Sequence, residues 1–312
     1  MKISIIVPVH NAENTIRRCV QSILMQNMDE IEILLIENGS VDSSYEICKD
    51  YAKRYDNVFC YSSTKGVSAA RNVGLKYATG DIIGFCDSDD EFINGSFEKI
   101  VNAFEYNKEI SLVVGGYYRV SSKNKFYMGF KKNSVCSFKR ILNHSIYDFR
   151  IMGSVWNKFF KIELLKGFCF DETLTYCEDT HFLISVLSKN QNQKAYILNK
   201  PIYCYICNEQ SVTRNTSNLF NELGQLKYIE ALEKILELPD LKKYSRILIK
   251  RQIFWLSIEW YPYVSKEKER KMSRRYIWCY LPFYLICIYV SPKQVPRTIV
   301  IMLREQLRKL FW

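Results

Sequence analysis

Histidine is scarce in this chain. There are three in 312 residues, His10, His144 and His181, and none forms a recognisable triad with a serine or cysteine. That removes the nucleophilic hydrolase patterns. Glycine (12) and proline (7) are also few. The turn after the first apolar run, Pro8-Val-His-Asn-Ala-Glu13, is neither glycine-rich nor basic. A nucleotidyltransferase is expected to carry such a phosphate loop there, so that reading loses its support. No clean apolar run reaches the ~20 residues of a membrane-spanning helix. The nearest, residues 276–290, is interrupted by Pro282. Cys204-Tyr-Ile-Cys207 has zinc-like spacing but no second pair beside it, which argues against a structural zinc site. There is no internal repeat and no low-complexity tract.

What is present is an ordinary globular composition, 48% apolar, with an uneven charge. Of the net +11, residues 241–312 carry +12 (16 Lys/Arg against 4 Asp/Glu), so the other 240 residues sum to −1. A basic tail on a neutral body expects a polyanionic partner. The eleven cysteines are scattered through apolar segments such as those of Cys86, Cys169, Cys279 and Cys287, and no small-residue cleavage site precedes the run Ile3–Val9. Reduced thiols in a cytosol are the expectation.

Strand and helix signals alternate at short spacing over the first third. Apolar, β-branched runs at 3–9, 31–36, 58–61 and 81–86 read as strands, and segments 14–25, 40–55 and 68–77 between them as helices. Such alternation predicts right-handed crossovers and an α/β fold with a mainly parallel sheet. In that arrangement ligands bind beyond the carboxyl ends of the strands. Three polar clusters fall there: His10-Asn11, Glu37-Asn38-Gly39-Ser40 and Asp87-Ser88-Asp89-Asp90. The middle is mixed, with strands at 112–118, 195–198 and 202–206 and a helix at 178–187; from 218 onward the pattern is helical.

Each cluster has a chemical and a bland reading. Carboxylates at i and i+2 just past a strand, Asp87 and Asp89, can converge on a hard cation that also takes phosphate oxygens; a solvated acidic turn has the same residues. Glu37 and Asn38 can hydrogen-bond a base or ribose, or Asn-Gly-Ser is turn chemistry with Ser40 capping a helix. Gly66-Val-Ser-Ala-Ala-Arg71-Asn72 lets backbone approach a ligand while Arg71 reaches a diphosphate, or it is tight packing beside a surface arginine. Glu178-Asp179 opens a helix, where acids offset the helix dipole; that reading is the one physics alone favours over a proton acceptor.

Taken in order, Ile3-Ser-Ile-Ile-Val-Pro-Val-His-Asn11, Ile33-Leu-Leu-Ile-Glu-Asn-Gly-Ser-Val-Asp42, Gly66-Val-Ser-Ala-Ala-Arg-Asn-Val-Gly74 and Gly80-Asp-Ile-Ile-Gly-Phe-Cys-Asp-Ser-Asp-Asp90 resemble the family 2 glycosyltransferases of the GT-A fold. Trp156-Asn-Lys-Phe-Phe160, Phe170-Asp-Glu172 and Glu178-Asp179 continue the resemblance over roughly residues 1–215. The family builds bacterial capsule, lipopolysaccharide and related glycans. The resemblance implies a Rossmann-like, mainly parallel sheet flanked by helices. Residues 1–217 would form the catalytic domain, with a nucleotide-sugar half to about 110 and an acceptor half after it. Pro8 and His10 would line the nucleobase pocket, with Glu37-Asn38 standing where the family usually has Asp-Asp and contacts base or ribose. Arg71, Asp87 and Ser88 would lie around the nucleotide diphosphate. Asp89, with Asp87, would hold Mn²⁺ or Mg²⁺, and Asp179 beside Glu178 would be the general base of an inverting transfer from a UDP-sugar, less often a GDP-sugar. The acceptor implied is a hydroxyl of a glycan or lipid-linked saccharide.

The tail fits that chemistry. Arg270-Lys271 and Arg274-Arg275 precede the aromatic stretch 276–290, and over 298–312 Ile299, Leu303, Leu307 and Leu310 share a face opposed by Arg304, Arg308 and Lys309. Residues 218–312 therefore read as a basic helical extension, and 241–312 as the part that meets an anionic membrane, placing the enzyme on the cytoplasmic side of the bacterial inner membrane. A helical cap with solvated lysines is the alternative for the segment. No nucleic-acid module accompanies the charge, so nucleic acid is not expected. For the whole chain the alternative is a catalytically inactive GT-A-like scaffold recruited to the membrane, which the Glu37-Asn38 departure leaves open.

Overall fold

The computed structural model describes residues 1–26, 28, 30–146, 153–207, 222–260 and 267–290. The chain divides into two compact units, Met1–Glu209 and Gln210–Trp312. In the first, chain order runs β1 (Ile3–Val9), α1 (Ile16–Leu24), β2 (Ile31–Glu37), α2 (Ser44–Arg54), β3 (Val58–Ser62), α3 (Val67–Tyr77), β4 (Ile82–Phe85), β5 (Glu91–Phe92) and α4 (Ser96–Tyr106). It continues with β6 (Ile110–Val120), β7 (Lys125–Met128), β8 (Ser134–Ser137), α5 (Phe138–Ser145), β9 (Lys158–Lys161), α6 (Ile162–Leu165), α7 (Glu178–Lys189) and β10 (Lys194–Ile206).

β1 and β2 are buried at every position, as strands covered on both faces must be, so their near-continuous apolar runs need no alternation. They pair in parallel from Ile3↔Ile31 to Val9↔Glu37. β4 lies parallel on the other side of β1 (Ile3↔Ile82 to Ile6↔Phe85) and β3 lies parallel outside β2 (Ile33↔Val58 to Glu37↔Ser62). This register brings Val9, Glu37 and Ser62 level at one edge. Helix α1 covers the sheet with Ile16, Cys19, Val20 and Ile23, the i, i+3, i+4, i+7 spacing of a single buried face.

Beyond β4 the sheet turns mixed. The order is β3-β2-β1-β4-β9-β6-β10-β5, with β7 on β6 and β8 on β10. β9 is antiparallel to both β4 and β6, while β10 runs parallel to β6. The four-strand half thus keeps the parallel pattern that alternation predicts. The short β9 and β5 were not legible, because Lys158–Lys161 and Glu91–Phe92 are too brief to show a period.

Two close approaches place the site. A Cβ on Gly74 would lie 2.2 Å from Ile6 Cγ2, so only glycine lets α3 sit this near β1. A Cβ on Gly153 would lie 1.6 Å from Thr180 Oγ1, so the loop before β9 rests directly on the start of α7. Phe85, at the end of β4, meets Phe170 (5.5 Å) and Phe182 (6.3 Å) edge-on, and those two stack at 3.9 Å. This cluster draws α7 and the loop before it to the carboxyl end of β4.

The second unit contains α8 (Glu222–Leu236), α9 (Lys243–Trp260) and α10 (Glu267–Val290). Its core includes Ile229, Leu232, Ile235, Ile249, Ile253, Phe254 and Ile277. Arg246 donates to the carbonyls of Leu236, Leu238 (2.7 Å) and Leu241 (2.8 Å), satisfying acceptors left bare where α8 ends. Tyr276 and Tyr280 of α10 both donate to Glu233 of α8 (2.9 and 3.2 Å). Pro282 lies inside α10. Among the described residues no helix is long and apolar enough to cross a membrane. Lys271, Arg274, Arg275 and Trp278 of α10 are exposed. The amphipathic stretch 298–312 lies outside the described residues.

Candidate active site

The rim of the site is built from two stitched loops. Asn11, in the left-handed region at φ 49°, accepts from the Val41 amide (2.9 Å), while its own amide donates to Ser40 Oγ (3.1 Å). The amides of Ala12 and Glu13 donate to Ser44 Oγ (2.7 Å) and Asp42 Oδ2 (3.1 Å). Ser40 therefore does not cap α2, which starts at Ser44; it ties the β2 loop to the β1 loop. Pro8 is buried in β1, and His10 is exposed on the rim. Glu37 and Asn38 are buried; Glu37 Oε1 accepts from the Ser40 amide at 2.5 Å, across a turn that needs Gly39 at φ 81°.

The acidic turn follows β4. Ser88 and Asp89 form the turn itself, closed by the Asp90 amide donating to the Asp87 carbonyl (3.0 Å). Strand β10 grips it from beside: the Asp87 amide donates to Tyr203 Oη (3.1 Å), and the Ile206 amide donates to Asp90 Oδ1 (2.7 Å). Arg18 of α1 donates to the Asp89 carbonyl (2.7 Å) and pairs with Glu91 (2.5 Å). The Asp89 side chain is half-buried beside Asp87. Burial first, and the neighbouring Asp87 charge second, push its pKa up to about 6.

Arg71 gathers the carboxylates. Its side chain is 5% exposed and its fork spans two elements, Nη1 donating to Glu178 Oε1 (2.8 Å) and Nη2 to Asp87 Oδ1 (3.1 Å). Burial works against the guanidinium charge, and Asp87, Glu178 and Asp179 outweigh it, so its pKa is raised. Nε is buried without a hydrogen-bond partner among the described residues. Next to it, Asn72 accepts from the Phe170 amide (2.7 Å) and donates to Glu172 (2.9 Å), fixing the loop that leads to α7.

Cys177, another left-handed residue (φ 57°), immediately precedes α7, so Glu178 and Asp179 occupy the first turn. They suit the helix dipole there, and they also face Arg71. Burial, then the Glu178 charge, push Asp179 up to about 7 against the pull of Arg71. By contrast Glu32, at the opposite edge of the sheet, is also penalised by burial, but bonds from Ser4, Thr79 and Lys2 more than offset that and lower its pKa. Glu32 is a satisfied structural acid, whereas at Asp179 and Asp89 burial and neighbouring carboxylates outweigh the groups that favour the charge. Such groups concentrate where ligands bind.

Among the described residues no three His, Cys, Asp or Glu side chains are arranged to hold a metal by themselves. Asp87 and Asp89 nevertheless fit a divalent cation, because such ions bind through one or two carboxylates and take phosphate oxygens and water for the rest. The sequence-predicted Arg71, Asp87, Glu178 and Asp179 are thus brought together, with Asp89 beside Asp87; Pro8, His10, Glu37 and Asn38 sit on the adjoining rim. Sequence reasoning missed Asp90, Tyr203, Asn72 and Lys158. Asp90 and Lys158 lay within recognised motifs but had no assigned chemistry, and Tyr203 is one of several tyrosines in an aromatic strand.

The model of the family described as "Glycosyl transferase family 2" matches residues 4–174. An uncharacterized glycosyltransferase, EpsJ of Bacillus subtilis, is 33% identical over 219 residues, 68% of this chain and 62% of EpsJ. The minor teichoic acid biosynthesis protein GgaB of Bacillus subtilis is 32% identical over 207 residues, 65% of this chain and 22% of GgaB. Glycosyltransferase GlyA of Streptococcus pneumoniae is 31% identical over 233 residues, 68% of this chain and 32% of GlyA. The chain therefore spans less than two thirds of each of these relatives. In fold it is similar to Staphylococcus aureus TarS 1–349 crystallised with UDP-GlcNAc (TM-score 0.67, 21% identity, 91% of this chain and 82% of that one). The mannosyltransferase PcManGT of Pyrobaculum calidifontis, crystallised with GDP-Man and Mn²⁺, is more distant (TM-score 0.54, 14% identity, 100% of this chain and 87% of that one). With the family model covering more than half of its length, this chain belongs to glycosyl transferase family 2.

Proposed function

We propose that the chain is an inverting glycosyltransferase that moves a sugar from a UDP-sugar, less readily a GDP-sugar, to a hydroxyl of a glycan or lipid-linked saccharide during cell-surface polysaccharide synthesis. The observation that carries this is the bridge from Arg71 to Asp87 and Glu178, which draws the acidic turn and the Glu178-Asp179 pair around one cation. The naming of a UDP-sugar donor is supported by the fold shared with TarS.

In this reading the rim of Pro8, His10, Glu37 and Asn38 receives the nucleoside. Arg71 and the turn at Asp87-Ser88-Asp89 receive the diphosphate. Asp87 and Asp89 would hold Mn²⁺ or Mg²⁺, which would supply neutralisation of diphosphate charge. Asp179, whose pKa of about 7 suits proton transfer near neutrality, takes the proton of the acceptor hydroxyl. The freed oxygen pair attacks the anomeric carbon from the face opposite the diphosphate, the carbon–oxygen bond to the diphosphate breaks, and the configuration inverts. Positioning and charge stabilisation carry the rate, with no covalent enzyme intermediate. Residues 1–217 perform this chemistry, and the basic extension 218–312 holds the enzyme peripherally on the inner face of the cytoplasmic membrane, where a lipid-linked acceptor resides.

Thermal denaturation with a panel of UDP- and GDP-sugars, with and without Mn²⁺, tests the donor class. Metal-dependent stabilisation by a UDP-sugar that disappears in Asp89→Ala is the expected result. Absence of any stabilisation overturns it in favour of an inactive scaffold, for which Glu37, engaged by its own turn, is the suspected lesion.

A further inference from the structure

The mechanism makes no use of a hairpin on the first unit, the stretch 119–132 that leaves the carboxyl end of β6. It holds Arg119, Lys123, Lys125, Lys131 and Lys132 and no Asp or Glu, a charge of +5. β7 folds back on β6 with Tyr118 opposite Tyr127 and Arg119 opposite Phe126. The turn between them is closed by the Ser121 amide donating to the Asn124 carbonyl (2.8 Å) and the Asn124 amide donating to Ser121 Oγ (3.1 Å). The end of β10 fixes the hairpin beside the site. The Ile206 amide donates to Asp90 Oδ1 (2.7 Å), and the next amide, of Cys207, donates to the Val120 carbonyl (2.7 Å). Two consecutive amides thus hold the acidic turn and the root of the hairpin side by side.

Successive side chains of a strand point to opposite faces, and both faces of this hairpin carry an aromatic ring beside a base. On one, Lys125 Nζ lies 4.2 Å from the centre of the Tyr118 ring, which meets the Tyr127 ring at 5.8 Å. On the other, Phe126 stands opposite Arg119, whose Nε donates to Cys207 Sγ (3.4 Å). Phe126 is 58% exposed and Tyr127 43%, and Arg119, Lys123 and Lys125 are exposed as well. A benzyl ring offers water no polar group, so leaving it out near a hairpin tip forfeits the gain of burying it. A soluble polyanion would satisfy the bases and do nothing for Phe126. An anionic bilayer satisfies both, because apolar rings settle at the headgroup boundary while basic side chains reach the phosphate layer.

We infer that the β6–β7 hairpin is a lipid-binding element of the catalytic unit, seating Phe126 in the interface of an anionic bilayer with Arg119, Lys123 and Lys125 on the headgroup phosphates. It is separate in sequence from the basic extension 218–312 and acts without it. Because the hairpin lies beside the acidic turn, docking through it brings the carboxyl end of the sheet to the lipid surface. That consequence, unlike the docking itself, rests on the reading of a lipid-linked acceptor.

Co-sedimentation of the full chain with phosphatidylcholine vesicles, with and without phosphatidylglycerol, tests the hairpin. Each basic residue near an anionic surface is worth about fivefold in affinity. Lys123→Glu combined with Lys125→Glu should therefore weaken binding to the phosphatidylglycerol vesicles roughly 25-fold or more. Phe126→Ser should weaken it about tenfold, whereas Phe126→Trp keeps an interfacial ring and should retain it. These side chains are exposed, so melting temperature and donor-induced stabilisation should match wild type in every variant. Wild-type sedimentation of the charge variant, or of Phe126→Ser, overturns the inference. If the charge variant alone loses vesicle binding, and loses binding to heparin in step, the surface serves a soluble polyanion and the inference fails. The assay reads lipid and not transfer, so its failure would leave the donor and base assignments standing; failure of those would appear in donor-induced stabilisation and turnover.

Discussion

Arg71 and Glu178 stand 107 positions apart in sequence, yet Nη1 of the first lies 2.8 Å from Oε1 of the second, both largely buried. Helix α3 reaches this point because Gly74 lets it lie against Ile6. Helix α7 reaches it because Phe85, Phe170 and Phe182 pack together at the end of β4. The aromatic cluster and the close glycine are thus the structural causes, and the assembled charge site is their consequence.

Removing the bridge should therefore damage more than binding. Arg71→Gln leaves Asp87, Glu178 and Asp179 without their shared cation, and stranding buried charge costs about 3–5 kcal/mol. Arg71→Lys keeps the charge but loses the two-pronged geometry, so it should fall between wild type and Arg71→Gln. Thermal denaturation gives the order directly; equal melting temperatures for all three proteins would show that the bridge contributes nothing.

Asp89 predicts a pH signature. Its pKa of about 6 in the fold lies above the ordinary 3.8, so the native state binds more protons between those values, and stability falls as pH rises through that window. Asp89→Asn removes the effect. It should melt about 2–4 °C above wild type at pH 7.5, with the gap closing near pH 4. A gap independent of pH contradicts the assignment.

Asp90 predicts a split between two substitutions. Its Oδ1 accepts from the Ile206 amide, holding β10 to the acidic turn. Asp90→Ala leaves that donor without its partner, at a cost of about 1–3 kcal/mol, whereas Asp90→Asn keeps an acceptor there and should retain most of the stability. Urea midpoints distinguish the two, and an Asn variant as weak as Ala would refute the latch.

The extension predicts lipid selectivity. Lys271 and Arg275 are exposed on α10, and each basic residue at an anionic surface contributes about 1 kcal/mol. Changing both to glutamate should weaken sedimentation with phosphatidylserine vesicles by roughly 30-fold or more, while leaving binding to phosphatidylcholine vesicles alone. Unaltered sedimentation would contradict membrane docking through this helix.

Where the candidate residues lie in the fold was largely legible beforehand, for a physical reason. Glu37 ends and Asp87 and Asp89 follow strands whose apolar runs are unmistakable, and strand ends in parallel sheets are where ligands sit. At Asp179 the helix position alone favours the dipole role, and only the family resemblance pointed to a proton acceptor. What stayed hidden depended on tertiary placement: Tyr203 reaches the acidic turn only through the β10–β5 edge, Asn72 acts on a loop 98 residues away, and Ser40, readable as a helix cap, proves to join two loops.

The central claim is that Asp179 takes the acceptor proton, and Asp179→Asn tests it most directly. Transfer should be followed as release of nucleoside diphosphate from the donor that stabilises the wild-type protein. Turnover should fall 10²–10⁴-fold, the scale of general-base catalysis, with donor-induced thermal stabilisation preserved. Turnover within a few-fold of wild type would contradict it.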